Sequence, residues 1–294
     1  MKQTTLAKAV SGVGIGLHKG EPIQISLEPL EANSGILFYR RDVGLLVQAL
    51  PENVVNTQMA TVIGNSSHYI STIEHLLSAI YAYGIDNIRV VLDGAEVPVM
   101  DGSSASFCMM LDEAGKRELD ATKHIMIIKK EVEVVDGRKF ARVSPSLAPS
   151  YHFTIDFAHP IIGCQEYLFE FSKKGFIEEI SRARTFGFLK DAQMLRSRGL
   201  GLGGSLDNAV ILDDKKILNP EGLRFSNEFV RHKILDAIGD LALLGSAFIG
   251  NYESFAGSHN LNHELTKAIL RDPSNYEIKT LCIENAQEFE KVYA

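Results

Sequence analysis

The sequence predicts an α+β protein made of two domains of similar plan, and three observations support this prediction. With 294 residues, the chain is long enough for two ordinary domains. Each half contains a helical pattern, a β-rich run, a turn and a second helical pattern in the same order. Short β-like runs precede these blocks, at residues 22–27, 124–135 and 151–157. We therefore expect one domain over residues 1–120 and a second over residues 124–271.

The block of the first half begins with a predicted helix over residues 71–83, STIEHLLSAIYAY. Ser71 and Glu74 have the spacing of a capping box, which would start the helix at Ser71. The rest of the block follows in order: a β-rich run at residues 87–94, a turn at residues 100–104 and a second helix to about Gly115.

The second half repeats this order of elements. The expected elements are a helix from about Ser226 to Leu244, a strand-like run at residues 247–255, a turn at residues 257–260 and a helix to about Leu270. The last stretch, residues 272–294, is predicted to be a loosely attached C-terminal tail.

A β–α–β insertion is expected in the second domain near residues 181–212, with its helix near residues 188–198. It carries more apolar side chains than a surface decoration needs, namely Phe186, Phe188, Leu189, Met194, Leu195, Leu200 and Leu202. These side chains either line a slot for an apolar ligand or pack onto the domain, and packing is the simpler interpretation. The GLGLGG run at residues 199–204 has the spacing of a dinucleotide fingerprint. Because it follows a helix instead of a strand, a Rossmann site is excluded.

Composition and charge exclude several classes of protein. The net charge of −7 argues against binding to nucleic acid. The three cysteines, Cys108, Cys164 and Cys282, lie far apart and fit no C-x-x-C motif, as expected for reduced thiols. The first residues show no signal-peptide pattern, and no run of about 18 apolar residues occurs that could span a membrane. We expect a cytoplasmic monomer without a transmembrane segment.

One predicted helix carries an unusual polar stripe. Within residues 230–241, VRHKILDAIGDL, His232, Asp236 and Asp240 recur at intervals of four and share one face among small or apolar neighbours. His232 and Asp236 can converge on one metal ion, or they form a buried His–Asp hydrogen bond. Asp240 lies roughly 12 Å from His232 along the helix axis, so it is better placed to orient another histidine.

A hydrolytic zinc site needs a third protein ligand and an open position for water. His75 is the best candidate, because small residues surround it on its helix face. Glu74, on the flank of that face, acts either as a capping residue or as a general base. His259 lies in a turn, where histidines are usually solvated. Asp240 is nevertheless free to hydrogen-bond His259 and raise its pKa, which would make His259 a general acid.

Six segments are informative in combination: STIEHLLSA (71–79), PVMDGS (98–103), RARTFGF (182–188), GLGLGGS (199–205), GLRFSNEFVRHKILDAIGDL (222–241) and GSH (257–259). Together they closely resemble the zinc-dependent UDP-3-O-acyl-N-acetylglucosamine deacetylases of bacterial lipid A biosynthesis. The resemblance covers about residues 3–271, and its E-H and H-K-x-x-D elements are the most specific. One departure is Ser258, where members of that family often have glycine.

The resemblance implies two α+β sandwich domains, each a sheet packed on helices, with the active site at their junction. It implies one Zn²⁺ per chain, bound by His75, His232 and Asp236. The further roles that it implies are Glu74 as general base, His259 as general acid with Asp240 as its partner, Thr185 as a donor to the developing oxyanion, Lys233 and Phe186 as contacts of the UDP-linked acylated amino sugar, and the insertion as the acyl passage. Acetate and the free amine would be the products.

Two other functions stay open at this point. One is a zinc amidase that acts on a different acylated amine. The other is a non-catalytic module that binds a nucleotide sugar or a lipid and carries a structural metal. Closed structural zinc sites are usually rich in cysteine, and no cysteine lies near these motifs, which disfavours the binding module.

Overall fold

The computed structural model describes residues 1–197, 199–280 and 292 of the chain, and it contains both blocks that the sequence predicts. The helices are α1 (Glu74–Ala82), α2 (Ala105–Ala114), α3 (Lys173–Gly175), α4 (Leu189–Ser197), α5 (Glu228–Leu241) and α6 (His259–Arg271). Short 3-10 turns cover Pro51–Asn53, Ala242–Leu244 and Pro273–Asn275, and a π-helical turn covers Phe176–Ile180.

Strands make up most of the remaining regular structure. Those before and between the helices of the first half are β1 (Lys2–Leu6), β2 (Val10–Ile15), β3 (Pro22–Pro29), β4 (Ile36–Arg40), β5 (Leu45–Gln48), β6 (Val54–Asn56), β7 (Val62–Gly64), β8 (Tyr69–Ile70), β9 (Ile88–Leu92) and β10 (Lys116–Thr122). Those of the second half are β11 (His124–Ile128), β12 (Val132–Asp136), β13 (Lys139–Ser144), β14 (Ser150–Asp156), β15 (Cys164–Glu170), β16 (Phe186–Phe188), β17 (Val210–Leu212), β18 (Ala247–Ile249), β19 (Asn251–Phe255) and β20 (Tyr276–Thr280).

Each half contains a five-stranded sheet, and the two sheets have the same topology. The strand order is β2-β3-β9-β4-β5 in the first and β12-β13-β19-β14-β15 in the second. In both sheets the central strand runs parallel to the fourth strand, while the other neighbours are antiparallel. The α+β class is therefore confirmed. Because the two sheets correspond strand for strand, we propose the division into domains at residues 1–120 and 124–271.

Alternating burial explains why these segments are strands. In β3, Ile23, Ile25 and Leu27 are buried, while the residues between them are more exposed. In β14, Tyr151 and Phe153 are buried in the same alternating way. Successive side chains of a strand point to opposite faces, so each sheet has one apolar face that must be covered.

Helices α1 and α5 cover these apolar faces and pack against each other between the sheets. All residues of α1 are buried, as are all residues of α5 except Arg231 and Lys233. At the crossing, a Cβ atom on Gly239 would lie 2.0 Å from the carbonyl oxygen of Glu74. Only a glycine permits this approach, which brings the polar stripe of α5 beside the first turn of α1.

The first turn of α1 corrects the predicted capping box. The helix begins at Glu74, and its cap position, Ile73, makes no side-chain bond to the helix. Ser71 instead bridges to Glu96 as part of an extended segment, and the Glu74 carboxylate accepts a hydrogen bond from the backbone N–H of Thr61. The capping-box prediction is therefore wrong, because a more distant backbone donor satisfies the carboxylate.

The β–α–β insertion forms as predicted, with β16 and β17 pairing in parallel on either side of α4. Gly199 and Gly201 follow α4 with positive φ angles of 73° and 64°, so the glycine run makes a turn. In the predicted tail, Tyr276–Thr280 forms β20, which pairs with β11. Residues 281–291, 293 and 294, including Cys282, lie outside the described residues.

Cys108 is buried and Cys164 is exposed, and neither forms a disulfide. None of the described helices combines the length and the apolar character that crossing a bilayer requires.

Replacing Gly239 with alanine tests the crossing of α1 and α5. We expect Gly239→Ala to lower the free energy of unfolding by about 1–3 kcal/mol, because the added methyl group collides with the backbone of α1. Urea unfolding followed by circular dichroism measures the change. Gly187→Ala is the matched control, because no atom lies within 4 Å of its added Cβ. Equal stability of both variants and the wild type would contradict the close crossing.

Candidate metal centre and active site

Three buried side chains from α1 and α5 form a group that could hold a metal ion. These are His75, His232 and Asp236, whose potential ligand atoms all lie within 4.8 Å of one another. Asp236 Oδ1 is 3.6 Å from His75 Nε2 and 3.4 Å from His232 Nε2. Ligands at about 2.0–2.2 Å from a tetrahedral metal are separated by roughly 3.3–3.6 Å. The spacing therefore fits one ion bound by all three residues.

The hydrogen bonds of these side chains also fit a metal site. Asp236 Oδ1 is buried and has no hydrogen-bond partner among the described residues, whereas Oδ2 accepts a bond of 2.6 Å from Lys233 Nζ. A buried carboxylate oxygen without a partner is costly, and a cation would satisfy it. The Nδ1 atom of His232 donates to the carbonyl of Ala183 at 3.0 Å, which leaves Nε2 of the neutral imidazole unprotonated and able to bind a cation.

Burial lowers the pKa of His232 to about 4, although the carboxylate of Asp236 opposes this effect. The imidazole is therefore neutral near pH 7, as a metal ligand must be. His75 is held through its backbone, since its carbonyl accepts bonds of 2.8 Å from the hydroxyls of Ser78 and Ser104. The backbone of His75 and the imidazole of His232 are thus each held by contacts outside the group of three.

A second group of polar residues lies beside the candidate metal centre. Glu74 is 3% exposed, and its Oε2 accepts the 3.0 Å bond from the Thr61 N–H. Its other oxygen, Oε1, lies 3.9 Å from His259 Nε2. Burial raises the pKa of Glu74, with His259 and His75 acting in the opposite direction. The carboxyl group is therefore more basic than an exposed glutamate, as a proton acceptor should be.

Asp240 is the partner of His259, as the sequence predicts. Its Oδ2 accepts from His259 Nδ1 at 2.9 Å and from Asn262 Nδ2 at 2.8 Å. Its Oδ1 accepts from the Thr61 hydroxyl at 2.5 Å. Asp240 is not part of the ligand group, which agrees with the spacing along the helix. The N-terminus of α6 is fixed by Ser258, whose side chain accepts from the N–H of Leu261.

The charges around His259 favour its protonated form. Burial alone would lower the pKa of His259, but the carboxylates of Asp240 and Glu74 outweigh it and raise the pKa to about 9. At neutral pH the side chain is an imidazolium that can give up a proton from Nε2, because Nδ1 is held by Asp240.

Thr185 and Phe186 lie at the start of the insertion, on the edge of this site. The N–H of Thr185 donates to the carbonyl of Gly102 at 2.7 Å, which joins the insertion to the turn between β9 and α2. The ring centroid of Phe186 is 6.3 Å from that of His232 and 4.9 Å from that of Phe229. Phe186 thus packs onto α5 and borders the candidate metal centre.

A cleft of about 530 Å³ separates the insertion from the β6–β7 hairpin. Of the seven apolar side chains singled out in the insertion, Leu195 and Leu200 line this cleft, opposite Met59 and Val62. Phe186 and Phe188 instead pack against Phe157 and other aromatic rings. Packing onto the domain therefore holds for Phe186 and Phe188, whereas the slot for an apolar ligand stays a prediction, in which Leu195 and Leu200 would take part.

Sequence reasoning missed several residues that complete the site. Thr61 carried no recognisable signal, because its role depends on a hairpin that is distant in sequence. Asn262 was detectable in principle, since it lies one turn after His259 on α6 and shares its face. The carbonyl of Ala183 could not be identified, because a backbone acceptor leaves no trace in the side-chain pattern.

Comparison with known proteins gives one consistent result. The family model described as UDP-3-O-acyl N-acetylglycosamine deacetylase matches residues 3–271. The UDP-3-O-acyl-N-acetylglucosamine deacetylase of Campylobacter fetus is 66% identical over 294 residues, which is 100% of each chain. Proteins of the same name from Campylobacter lari and Campylobacter jejuni are each 65% identical over the same 294 residues. The resemblance found in the sequence motifs is confirmed.

Metal binding tests the assignment of His75, His232 and Asp236. We expect the wild-type chain, dialysed against Zn²⁺ and then against buffer, to retain one equivalent of metal. His232→Ala should retain less than about a tenth of this, because a two-ligand site binds weakly. Elemental analysis by mass spectrometry measures the content. The control is His152→Ala, which changes a histidine on the surface of β14. Full occupancy in His232→Ala would exclude His232 as a ligand.

Proposed function

The chain belongs to the UDP-3-O-acyl N-acetylglycosamine deacetylase family, and we propose that it removes the acetyl group from UDP-3-O-acyl-N-acetylglucosamine. The reaction consumes water and releases acetate and the free amine, in the committed step of lipid A biosynthesis. The observation that carries this proposal is the arrangement of Glu74 and the His259–Asp240 pair beside three buried side chains that could hold a metal ion. Amide hydrolysis needs a proton acceptor, a proton donor and a stabilised oxyanion, and this site offers candidates for all three.

We assign Zn²⁺, one ion per chain, to the group of His75, His232 and Asp236. Two imidazoles and one carboxylate with a remaining open position are typical of catalytic zinc sites. When bound, the ion would polarise the amide carbonyl and increase the acidity of water. Because the ligand residues are buried, they would not need to reorganise before the reaction.

Glu74 is the proposed general base. Its raised pKa and its free oxygen Oε1 suit it to take a proton from water as the water oxygen attacks the carbonyl carbon of the acetamide. The Thr61 N–H holds the other oxygen, so the accepting oxygen keeps one orientation.

His259 is the proposed general acid. It delivers the Nε2 proton to the amide nitrogen as the carbon–nitrogen bond breaks, and the amine leaves in its neutral form. Asp240 supports this role because it keeps the imidazole protonated until the transfer. The proposed proton acceptor, Glu74 Oε1, and the proposed proton donor, His259 Nε2, lie 3.9 Å apart.

Thr185, Lys233 and Phe186 are the proposed contacts of the substrate. The hydroxyl of Thr185 would donate to the developing oxyanion, and the ammonium group of Lys233, which bonds Asp236, would contact the substrate. We assign the acyl chain to the apolar cleft beside the insertion, which includes Leu195 and Leu200. We further propose that the protein acts in the cytoplasm, where nucleotide-linked sugars are made, and that it is a monomer.

The two competing functions are less well supported. A purely structural metal site does not require a proton acceptor and a proton donor beside it, which argues against the binding module. A zinc amidase with a different substrate would share the catalytic residues, so only the substrate distinguishes it. Release of acetate from the UDP-linked acyl sugar, abolished by a chelator and restored by Zn²⁺, tests the proposed function directly. Absence of acetate release from this substrate would reject it.

Replacing Glu74 separates a catalytic role from a structural one. We expect Glu74→Gln to retain its metal and to lower kcat by roughly 10²–10⁴-fold, as is typical when a general base is lost. Glutamine preserves the size of the side chain and can still accept the hydrogen bond from Thr61. Metal analysis and steady-state kinetics measure both effects. Near-normal turnover with a lowered melting temperature would instead indicate a structural role.

The pH profile of kcat/KM tests the His259–Asp240 pair. His259 must be protonated to act, and its raised pKa keeps it so until the pH approaches about 9, so activity should fall as the pH rises through this range. A bound cation would lower the pKa of His259, and activity would then fall at a lower pH. Asp240→Ala should move the basic limb to lower pH and reduce the maximum rate, because the imidazolium loses its carboxylate.

His259→Ala serves as the second variant in this experiment, and it should largely remove the basic limb. Metal content should be unchanged in both variants. Loss of metal in Asp240→Ala would make Asp240 a ligand, and an unchanged profile would disprove the pairing.

A further inference from the structure

Thr61 contacts both carboxylates that the proposed mechanism uses for proton transfer. It lies immediately before β7 and is 1% exposed. Its backbone N–H donates to Glu74 Oε2 at 3.0 Å, and its hydroxyl donates to Asp240 Oδ1 at 2.5 Å. Glu74 belongs to α1 and Asp240 to α5, so one residue of the first half connects the two helices through their functional groups.

Because of these two hydrogen bonds, the two oxygens of each carboxylate have different partners. On each carboxylate, Thr61 occupies one oxygen, and the other oxygen is turned toward His259. The free Glu74 Oε1 lies 3.9 Å from Nε2 of this imidazole, and Asp240 Oδ2 lies 2.9 Å from its Nδ1. Rotation of either carboxylate would break a hydrogen bond with Thr61, and hydrogen bonds to charged groups are among the stronger ones in proteins.

We propose that Thr61 is a positioning residue for the deacetylation inferred above, on which this proposal rests: its hydroxyl orients Asp240, and its N–H orients Glu74. Asp240 needs this orientation because it is buried and its Oδ2 already serves two donors, His259 Nδ1 and Asn262 Nδ2. Asn262 is itself fixed by the hydroxyl of Tyr252 at 2.7 Å. Every donor around Asp240 therefore has a defined direction, and Thr61 is the donor that comes from the other half of the molecule.

The hydroxyl and the N–H of Thr61 can be tested separately. Thr61→Val removes the hydroxyl but keeps the β-branched shape and the N–H, so the bond to Glu74 survives. We expect kcat to fall by roughly 10- to 100-fold, the range for a lost hydrogen bond to a charged group, with KM and metal content nearly unchanged. Thr61→Ser keeps the hydroxyl and should retain most of the activity. The control is Thr57→Val, since the Thr57 hydroxyl bonds Asn260 at the start of α6 but reaches neither carboxylate.

A double-mutant cycle distinguishes positioning from general stabilisation. If the hydroxyl acts through Asp240, Thr61→Val should have little further effect on kcat in an Asp240→Asn background. The same fold-change in both backgrounds would overturn the proposal, as would a wild-type kcat for Thr61→Val. Should Thr61→Val not fold, Thr61→Cys keeps a weak donor of similar size, and its kcat should lie between those of the wild type and Asp240→Asn. A kcat outside this interval would contradict the positioning role of Thr61.

A readout without catalysis separates this proposal from the proposed function. In ¹H NMR spectra of the metal-free protein, the proton on His259 Nδ1 should give a downfield signal because Asp240 accepts it. Thr61→Val should shift or broaden this signal, whereas Thr61→Ser and Thr57→Val should not. If the wild-type chain releases no acetate, the proposed function is rejected. The NMR result still shows whether Thr61 orients Asp240. An unchanged signal in Thr61→Val overturns the positioning role.

Discussion

The close crossing of α1 and α5 at Gly239 is the constraint on which the rest of the molecule depends. The backbones can approach because no side chain stands between Gly239 and the carbonyl of Glu74. This approach places His75 from one helix against His232 and Asp236 from the other, inside a core that excludes water. The approach brings Asp236 Oδ1 to 3.6 Å from His75 Nε2 and 3.4 Å from His232 Nε2, so that polar side chains that would be costly to bury alone lie together. The two similar sheets matter for function because each supplies an apolar face that holds one of the helices.

Burying three carboxylates in one region requires compensating positive charge. Burial raises the pKa of Glu74, while Asp240 is paired with the imidazolium of His259. Burial raises the pKa of Asp236, yet His232 and the ammonium group of Lys233 lower it well below its usual range. Even so, Asp236 Oδ1 has no hydrogen-bond partner among the described residues. A divalent cation at this position would remove the remaining imbalance, which supports the proposed metal site over a simple His–Asp hydrogen bond.

The sequence was informative where function depends on the spacing within one helix. The intervals of four residues on α5 identified His232, Asp236 and Asp240, and the rise of the helix correctly separated Asp240 from the ligand group. Prediction failed where a side chain had a local and a distant partner to choose from. Ser71 and Glu74 matched a capping box, but Glu74 bonds Thr61. The spacing of Ser71 and Glu74 cannot reveal this bond, because the donor, the Thr61 N–H, comes from a separate hairpin. Only the fold brings Thr61 and Glu74 together.

His232 and His259 show how the surroundings of a largely buried histidine can shift its pKa in opposite directions. Both side chains are largely buried, and burial alone favours the neutral imidazole in each case. His232 faces one carboxylate but also His75 and Lys233, so its pKa falls to about 4. The charges around His259 come mainly from Asp240 and Glu74, so its pKa rises to about 9. At neutral pH, one imidazole is therefore neutral, as the proposed metal ligand must be, and the other is protonated, as the proposed general acid must be; burial and the neighbouring charges together produce this difference.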